Sequence, residues 1–383
     1  MTTLADDLEV PDAPAISGLA FRAFRDPDDW ELVTGLVNQA RLADGVEEVT
    51  TAEGMAVDWG GRDDLTPTRD MLVAEIDGAP VAFGVGYLLP RAGALIAESW
   101  GAVAPAWRRR GIGTALHRAN RARLTAQAAV DPRPGPREMR SYAMDTELTD
   151  QALFVAEGFV PIRFGFEMRR PLTGVLPEHP LPAGLELRPV VKADHRTIFD
   201  ADDEAFQDHW GHRDATDADF RSMFAHPDTD PALWCVAWDG GEVAGVVMNA
   251  IFHRDNEQFG FRRGWLDRVS VRRPWRGRGL AKALCAASFR VLREAGQEEA
   301  WLGVDARNPT GALRLYESIG FTVARRWFAY GRPLDGPAGP DWAHRKVRWM
   351  RRDVGPCGTR GHARGPAPGV APRGTPGSAW PSP

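Results

Sequence analysis

Two stretches of this chain, 168 residues apart, read alike, and that internal repeat constrains the fold more than any other feature. In the first, Ser99-Trp-Gly-Ala-Val103 runs into Ala104-Pro-Ala-Trp-Arg-Arg-Arg-Gly-Ile-Gly113. In the second, Asp267-Arg-Val-Ser-Val271 runs into Arg272-Arg-Pro-Trp-Arg-Gly-Arg-Gly-Leu-Ala281. Each continues with apolar residues at helical spacing: Ile112, Ala115, Leu116 and Ala119, then Leu280, Ala283, Leu284, Ala287 and Val291. Each closes on Gly-Phe, at Gly158-Phe159 and at Gly320-Phe321. Arg108 to Gly158 is 50 residues and Arg276 to Gly320 is 44, and the six extra residues fall in the loop-like run Asp131-Pro-Arg-Pro-Gly-Pro-Arg137. A tandem duplication is the economical reading.

Around these motifs the pattern is mixed α/β. Residues 233–238 and 243–248 are apolar runs about an Asp239-Gly240 turn, and 71–76 and 81–85 repeat that hairpin about Asp77-Gly78. Residues 300–304 form a short buried-strand pattern. Punctuation divides the chain. Residues 1–18 read as a flexible arm and 19–170 as a first domain. The Pro-rich stretch 171–184 reads as a linker, 185–352 as a second domain, and 353–383 as a disordered Pro/Gly-rich tail. A net charge of −5 carries no chain-wide basic field, so nucleic-acid and membrane-surface partners are not expected. No apolar run approaches ~20 residues, the length that spans a bilayer. Three scattered cysteines fit neither a disulfide framework nor a zinc site; a cytoplasmic, metal-free protein is the expectation.

The loop Arg276-Gly-Arg-Gly-Leu-Ala281 lies between a strand pattern and an amphipathic helix. A helix N-terminus offers unpaired N–H groups and a partial positive charge, and glycines let a ligand approach the backbone closely. With Arg276 and Arg278 adding charged donors, a pyrophosphate is the expected guest; the plain alternative is a solvated basic turn. A dinucleotide fold is disfavoured. Its third glycine position holds Lys282, and the acidic pair Glu298-Glu299 precedes a strand instead of closing one.

Taken together, Arg276-x-x-Gly279-x-Ala281, the later Asn308, Tyr316 and Gly320-Phe321 resemble the signatures of the GNAT acetyltransferase superfamily. Arg108-x-x-Gly111-x-Gly113 resembles the first of them. In tandem layout the chain is similar to the mycothiol synthases, a likeness of architecture. The resemblance implies two GNAT domains, each a mixed central sheet flanked by helices, with acetyl-CoA as donor. It implies that Gly277, Arg278, Gly279, Leu280 and Ala281 hold the pyrophosphate beside Arg276. Val269 and Val271 would pair with the pantetheine arm, and Tyr316 would protonate the departing thiolate. Asn308 either contacts the pantetheine or caps the next helix. Asp267, paired with Arg268 or free, is the base candidate; Asp305 is a second, and His209 either lines the acceptor pocket or is structural. Trp210, Trp234, Trp265, Trp301 and Trp327 either shape that pocket or fill a core.

In the first half the equivalent binding set is Val103, Arg108, Gly111, Ile112, Gly113 and Thr114, but Phe154 stands at the tyrosine's place and Thr146 at the asparagine's. The first half is therefore expected to bind acetyl-CoA or to be structural, and the second to carry turnover. The expected activity is acetyl transfer to a primary amine of a small molecule or an amino terminus. The alternative is a CoA-binding regulatory or scaffold protein without turnover.

Overall fold

The computed structural model describes residues 8–91, 93–308 and 311–336. The expected tail at 353–383 and the first seven residues of the arm lie outside the described residues. In the first half, β1 (Leu19–Ala23) leads to α1 (Trp30–Ala43) and then to the single turns α2 (Ala52–Met55) and α3 (Pro67–Asp70), with a π-helical turn at Ala56–Gly60 between them. Then come β2 (Met71–Ile76), β3 (Ala79–Arg91), β4 (Ala94–Val103), α4 (Ile112–Ala129), β5 (Arg137–Met144), α5 (Leu148–Ala156) and β6 (Val160–Pro171). The second half repeats the order with β7 (Glu186–Arg188), α6 (His195–Phe206), α7 (Asp217–Ala225), β8 (Cys235–Asp239), β9 (Glu242–Ala250) and α8 (His253–Phe259). It continues through β10 (Arg263–Val271), α9 (Leu280–Glu294), β11 (Glu299–Asp305), α10 (Ala312–Ser318) and β12 (Thr322–Pro333).

Both hairpins, both loop-then-helix units and the insertion before β5 stand where the sequence puts them. Helix α9 forms because Leu280, Ala283, Leu284, Ala287 and Leu292 make one buried stripe. It begins at Leu280 because Gly279 takes φ +85°, a left-handed value that glycine adopts without a Cβ clash. In the first copy Gly111 does the same at φ +90°, and Arg109 takes the left-handed place of Gly277 at φ +62°, at a cost of roughly 1–2 kcal/mol for a residue with a side chain.

All strands among the described residues join one sheet, in the order β1-β2-β3-β4-β5-β12-β6-β11-β10-β9-β8-β7. Each half has exchanged its last strand. β6 of the first half pairs with β11, Glu299 to Asp305 against Pro171 to Gly165, and β12 of the second pairs with β5, Trp327 to Pro333 against Met144 to Glu138. The two strands cross in the middle, where Gly165 faces Trp327; a Cβ there would lie 2.2 Å from the indole and 2.5 Å from the Val304 carbonyl. The cores are exchanged with the strands. Met168, Leu172 and Leu176 sit in the core under α9, while Tyr330 and Leu334 pack with Phe154 and Phe159 of the first half.

Two expectations are corrected here. Residues 8–18 are not a loose arm: Leu8 donates its N–H to the Phe21 carbonyl, Val10 and Ile16 pack against the Ile112 core, and Asp12 pairs with Arg118. The stretch 171–184 is not a free linker either, because Leu172 and Leu176 are buried. Short apolar residues among prolines dock when a neighbouring core is open to them. The boundaries at 170/171 and 184/185 follow the chain, whereas packing ignores them. Among the described residues no helix is long and apolar enough to cross a membrane.

Candidate active site

β10 and β11 run parallel and pair only from Arg263 to Trp265 against Glu299 to Trp301, then diverge. On the other edge of β10 the register with β9 slips between Leu266 and Arg268, which makes Asp267 the unpaired residue of a β-bulge. The divergence opens a cavity of about 840 Å³ whose lining includes Asp267, Val269, Gly279, Asn308 and Tyr316. Arg272 donates its N–H to the Ala244 carbonyl, so by antiparallel alternation Ser270 and Arg268 face β9 while Val271 and Val269 turn their backbone polar groups to the cleft. Past Trp265 that edge of β10 pairs with no described strand, although the Val271 carbonyl accepts the Arg276 Nε–H at 2.9 Å.

The loop is open as well. Among the described residues, none of the amides from Gly277 to Lys282 has a protein acceptor; the first helical bond is Ala283 N–H to the Gly279 carbonyl. Gly277, Leu280 and Ala281 line the cavity with Gly279. Arg276 departs from its expected part. Its Nε donates to the Val271 carbonyl at 2.9 Å, Nη2 to the Ala205 carbonyl at 2.9 Å, and Nη1 pairs with Asp208 at 2.6 Å. It anchors the loop to α6, leaving the amides as the principal anion donors. Arg278 is exposed and outside the cavity lining, where Lys282, unmarked by any sequence pattern, takes a place.

Tyr316 is buried, and no described residue hydrogen-bonds its hydroxyl; burial pushes the phenol's pKa up. Asp267 opens onto the cleft, yet the protein around it raises its carboxyl above the usual range, with Asp202 adding like charge and Arg268 and His226 opposing. Arg268 does not pair with it: that guanidinium holds Asp202 at 2.5 Å. Asp267 is thus a free, partly desolvated carboxylate that lines the same cavity as Tyr316. Asp305 is engaged, pairing with Arg163 at 2.6 Å and accepting the Arg307 N–H at 2.8 Å. Arg163 comes from β6 of the first half, a contributor that no local sequence signal marks. His209 lines the cavity, lies 3.5 Å from the Asn308 amide, and is shifted down by burial. Asn308 does not cap α10, whose N-cap is Gly311. Of the five tryptophans, Trp210 and Trp327 line the cavity and Trp234 and Trp301 are core, with Trp265 against Trp301 at 5.6 Å.

The first half has a smaller cavity, about 370 Å³, lined by Val103, Arg108, Gly111, Gly113 and Thr114. Ile112 points into the core instead, so only its backbone is offered. The amides of Arg109 to Thr114 are unoccupied among the described residues, and Arg108 repeats the anchoring role, pairing with Asp44 at 2.7 Å. Two things are missing. β3 and β4 run without a register slip, so there is no bulge, and the offset of 168 puts Ser99 opposite Asp267. Phe154 occupies the tyrosine's position and is buried against Phe159, Tyr330 and His117.

Sequence profiles of the acetyltransferase (GNAT) family match residues 195–321, and those of the acetyltransferase (GNAT) domain match 67–161. Curated relatives include the mycothiol acetyltransferases of Thermobispora bispora, 32% identical over 79% of this chain and 94% of the relative, and of Salinispora arenicola, 32% identical over 80% and 92%. Among solved structures, a GCN5-related N-acetyltransferase from Sphaerobacter thermophilus superposes with a TM-score of 0.62 at 26% identity, covering 86% of this chain and 98% of that one. A tandem GNAT protein from the clavulanic acid biosynthesis pathway shares the fold, with a TM-score of 0.58 at 18% identity over 84% and 100%. The open amide loop, the divergent strands and this kinship agree: the chain belongs to the GNAT family and is an acetyl-CoA-dependent N-acetyltransferase made of two GNAT domains.

Proposed function

We propose that acetyl transfer takes place in the second cleft alone, directly from acetyl-CoA to a primary amine bound beside it. One observation carries this: Asp267, Tyr316, Gly277 and the residues 279–282 with their unoccupied amides share one cavity, whereas the first half keeps the amides and lacks both side chains. In this reading the amides hold the pyrophosphate and the backbone of Val269 and Val271 holds the pantetheine, with Asn308 at its side. Asp267 takes a proton from the ammonium, directly or through water, so that the neutral nitrogen attacks the thioester carbonyl. An N–H of β10 faces the oxygen as negative charge grows on it. The C–S bond then breaks, and Tyr316 gives its proton to the sulfur.

The acceptor of this reading is a small-molecule amine, specifically the one whose acetylation the relatives' shared name describes. The support is identity over nearly the whole length of those relatives and an acceptor side lined by Trp210, Trp327 and His209. A reducing, cytoplasmic setting belongs to the same reading, since Cys235 and Cys285 are free and buried. The test is mass-spectrometric detection of N-acetylated product across a panel of amines, including the mycothiol precursor. Bound acetyl-CoA without acetylated product from any amine would leave a binding protein without turnover.

Asp267→Asn is expected to lower kcat/KM by about 10²–10⁴-fold, the usual worth of a general base. The acid limb of the pH profile should vanish with it, because the raised carboxyl titrates there. The linkage sign follows: a carboxyl raised by folding costs stability as pH rises from the unfolded toward the folded pKa. Asp267→Asn is therefore expected to melt higher than the parent at neutral pH. An unchanged acid limb would dismiss Asp267 as the base.

A further inference from the structure

The two copies differ on the helix after the loop as well as at the tyrosine. The offset of 168 that sets Gly111 on Gly279 sets His117 on Cys285 and Asn120 on Ser288. Cys285 is buried and stands outside the lining of the second cavity, whereas His117 lines the first. The imidazole meets Phe154 at 6.1 Å and Phe159 at 5.3 Å between ring centroids. Where the second half carries a phenol on α10, the first therefore carries a phenyl ring with an imidazole from α4 against it.

That imidazole is short of a partner. His117 is 6% exposed, and its buried Nε2 has no hydrogen bond among the described residues. Its polar neighbours are engaged with one another: Asn120 Nδ2 reaches Ser99 Oγ at 3.4 Å, and Asn120 Oδ1 accepts from Arg123 at 3.4 Å. Burial pushes the ring's pKa down to about 4, and a neutral imidazole keeps one nitrogen as an acceptor. An unmade hydrogen bond at a buried group is costly, so a ligand that supplies the donor is favoured there. Room is scarce as well, about 370 Å³ against about 840 Å³ in the second half. The offset puts Trp100 in the place of Arg268. Arg268 turns to Asp202, while Trp100 lines the first cavity and packs edge-on against Trp59 and Phe83, at 5.3 and 5.5 Å.

We infer that the first cleft is a receptor for coenzyme A as the free thiol, with the S–H donating to Nε2 of His117. A pyrophosphate on the amides of Arg109 to Thr114 carries the sulfur end of the same molecule toward Phe154, as the second loop carries it toward Tyr316. A thiol brings the hydrogen that Nε2 lacks. An acetyl thioester brings none at sulfur, and its acyl group needs the space that Trp100 fills. With both forms present, the first half holds the spent carrier while acetyl-CoA loads the second. This inference rests on the proposed role of the loops.

Calorimetric titration of the full chain with coenzyme A, acetyl-CoA and desulfo-coenzyme A tests it. Two equivalents of coenzyme A are expected. One of them is expected to bind acetyl-CoA and the desulfo form about tenfold more weakly, the order of an unmade hydrogen bond at a buried group. In His117→Leu that equivalent should take coenzyme A about tenfold more weakly than in the unaltered protein, and no better than the desulfo form. The three-ligand comparison on the unaltered protein needs no variant and decides alone if His117→Leu does not fold. A single equivalent of coenzyme A, equal affinities for the thiol and desulfo forms at both sites, or a thiol preference undiminished in His117→Leu would overturn the inference while leaving the second cleft untouched. No binding of any of the three would overturn it together with the proposed function.

Discussion

Tyr316→Phe is expected to lower kcat by about 10²–10⁴-fold, the range that loss of a positioned general acid commands, with acetyl-CoA affinity little changed. The phenol is buried and raised, so it carries its proton at any working pH and has one to give. A thiolate leaves well when protonated as it departs, and no other described side chain in the cavity combines a neutral acid with that placement on α10. The substitution keeps the ring and removes a hydroxyl without a protein partner, so the fold should be unaffected. The matching change in the first half is Phe154→Leu. Phe154→Ala is a poorer control, because that ring is buried and its truncation costs about 3–5 kcal/mol. Steady-state kinetics with a direct binding measurement separates the two halves: full turnover in Phe154→Leu and almost none in Tyr316→Phe. The reverse pattern would place catalysis in the first cleft.

Dividing the chain between residues 184 and 185 is expected to abolish activity in both pieces, and coexpression of the pieces to restore it. Each piece lacks the strand that fills its own sheet: β12 is absent beside β5, and β6 is absent beside β11. The second piece also loses Met168, Leu172 and Leu176 from its core, and each comparable large-to-small loss costs about 2–5 kcal/mol. Their sum rivals the whole stability of a domain, about 5–15 kcal/mol. Exposed strand edges make such pieces prone to aggregate. The site suffers separately, because Asp305 loses Arg163. Size-exclusion chromatography and acetyl-transfer assays on single and coexpressed pieces check this. A monomeric, fully active piece beginning at residue 185 would show that the exchanged strand contributes nothing needed. Gly165→Ala probes the same crossing within the intact chain and is expected to destabilise it, since its Cβ meets the Trp327 ring and the Val304 carbonyl.

What the residues alone determine is local. A left-handed glycine before an apolar helical stripe sets the loop and the helix start, and this happens twice because the sequence happens twice. Hairpin turns, the insertion and the free amides of the loop follow from backbone chemistry within a few residues of each motif. Asp267, Tyr316 and the two valines were legible only through the resemblance to GNAT signatures, and the structure brings them to the lining of one cavity. Tertiary structure decided the rest. Which carboxylate is free depended on distant arginines: Arg268 went to Asp202, Arg163 crossed from β6 to Asp305, and Arg276 went to Asp208. The bulge that leaves Asp267 unpaired is a register slip between two strands, and neither strand's sequence states it alone. The exchange of β6 and β12 is decided by which edge each strand meets, a choice between similar partners that period-two patterning cannot rank.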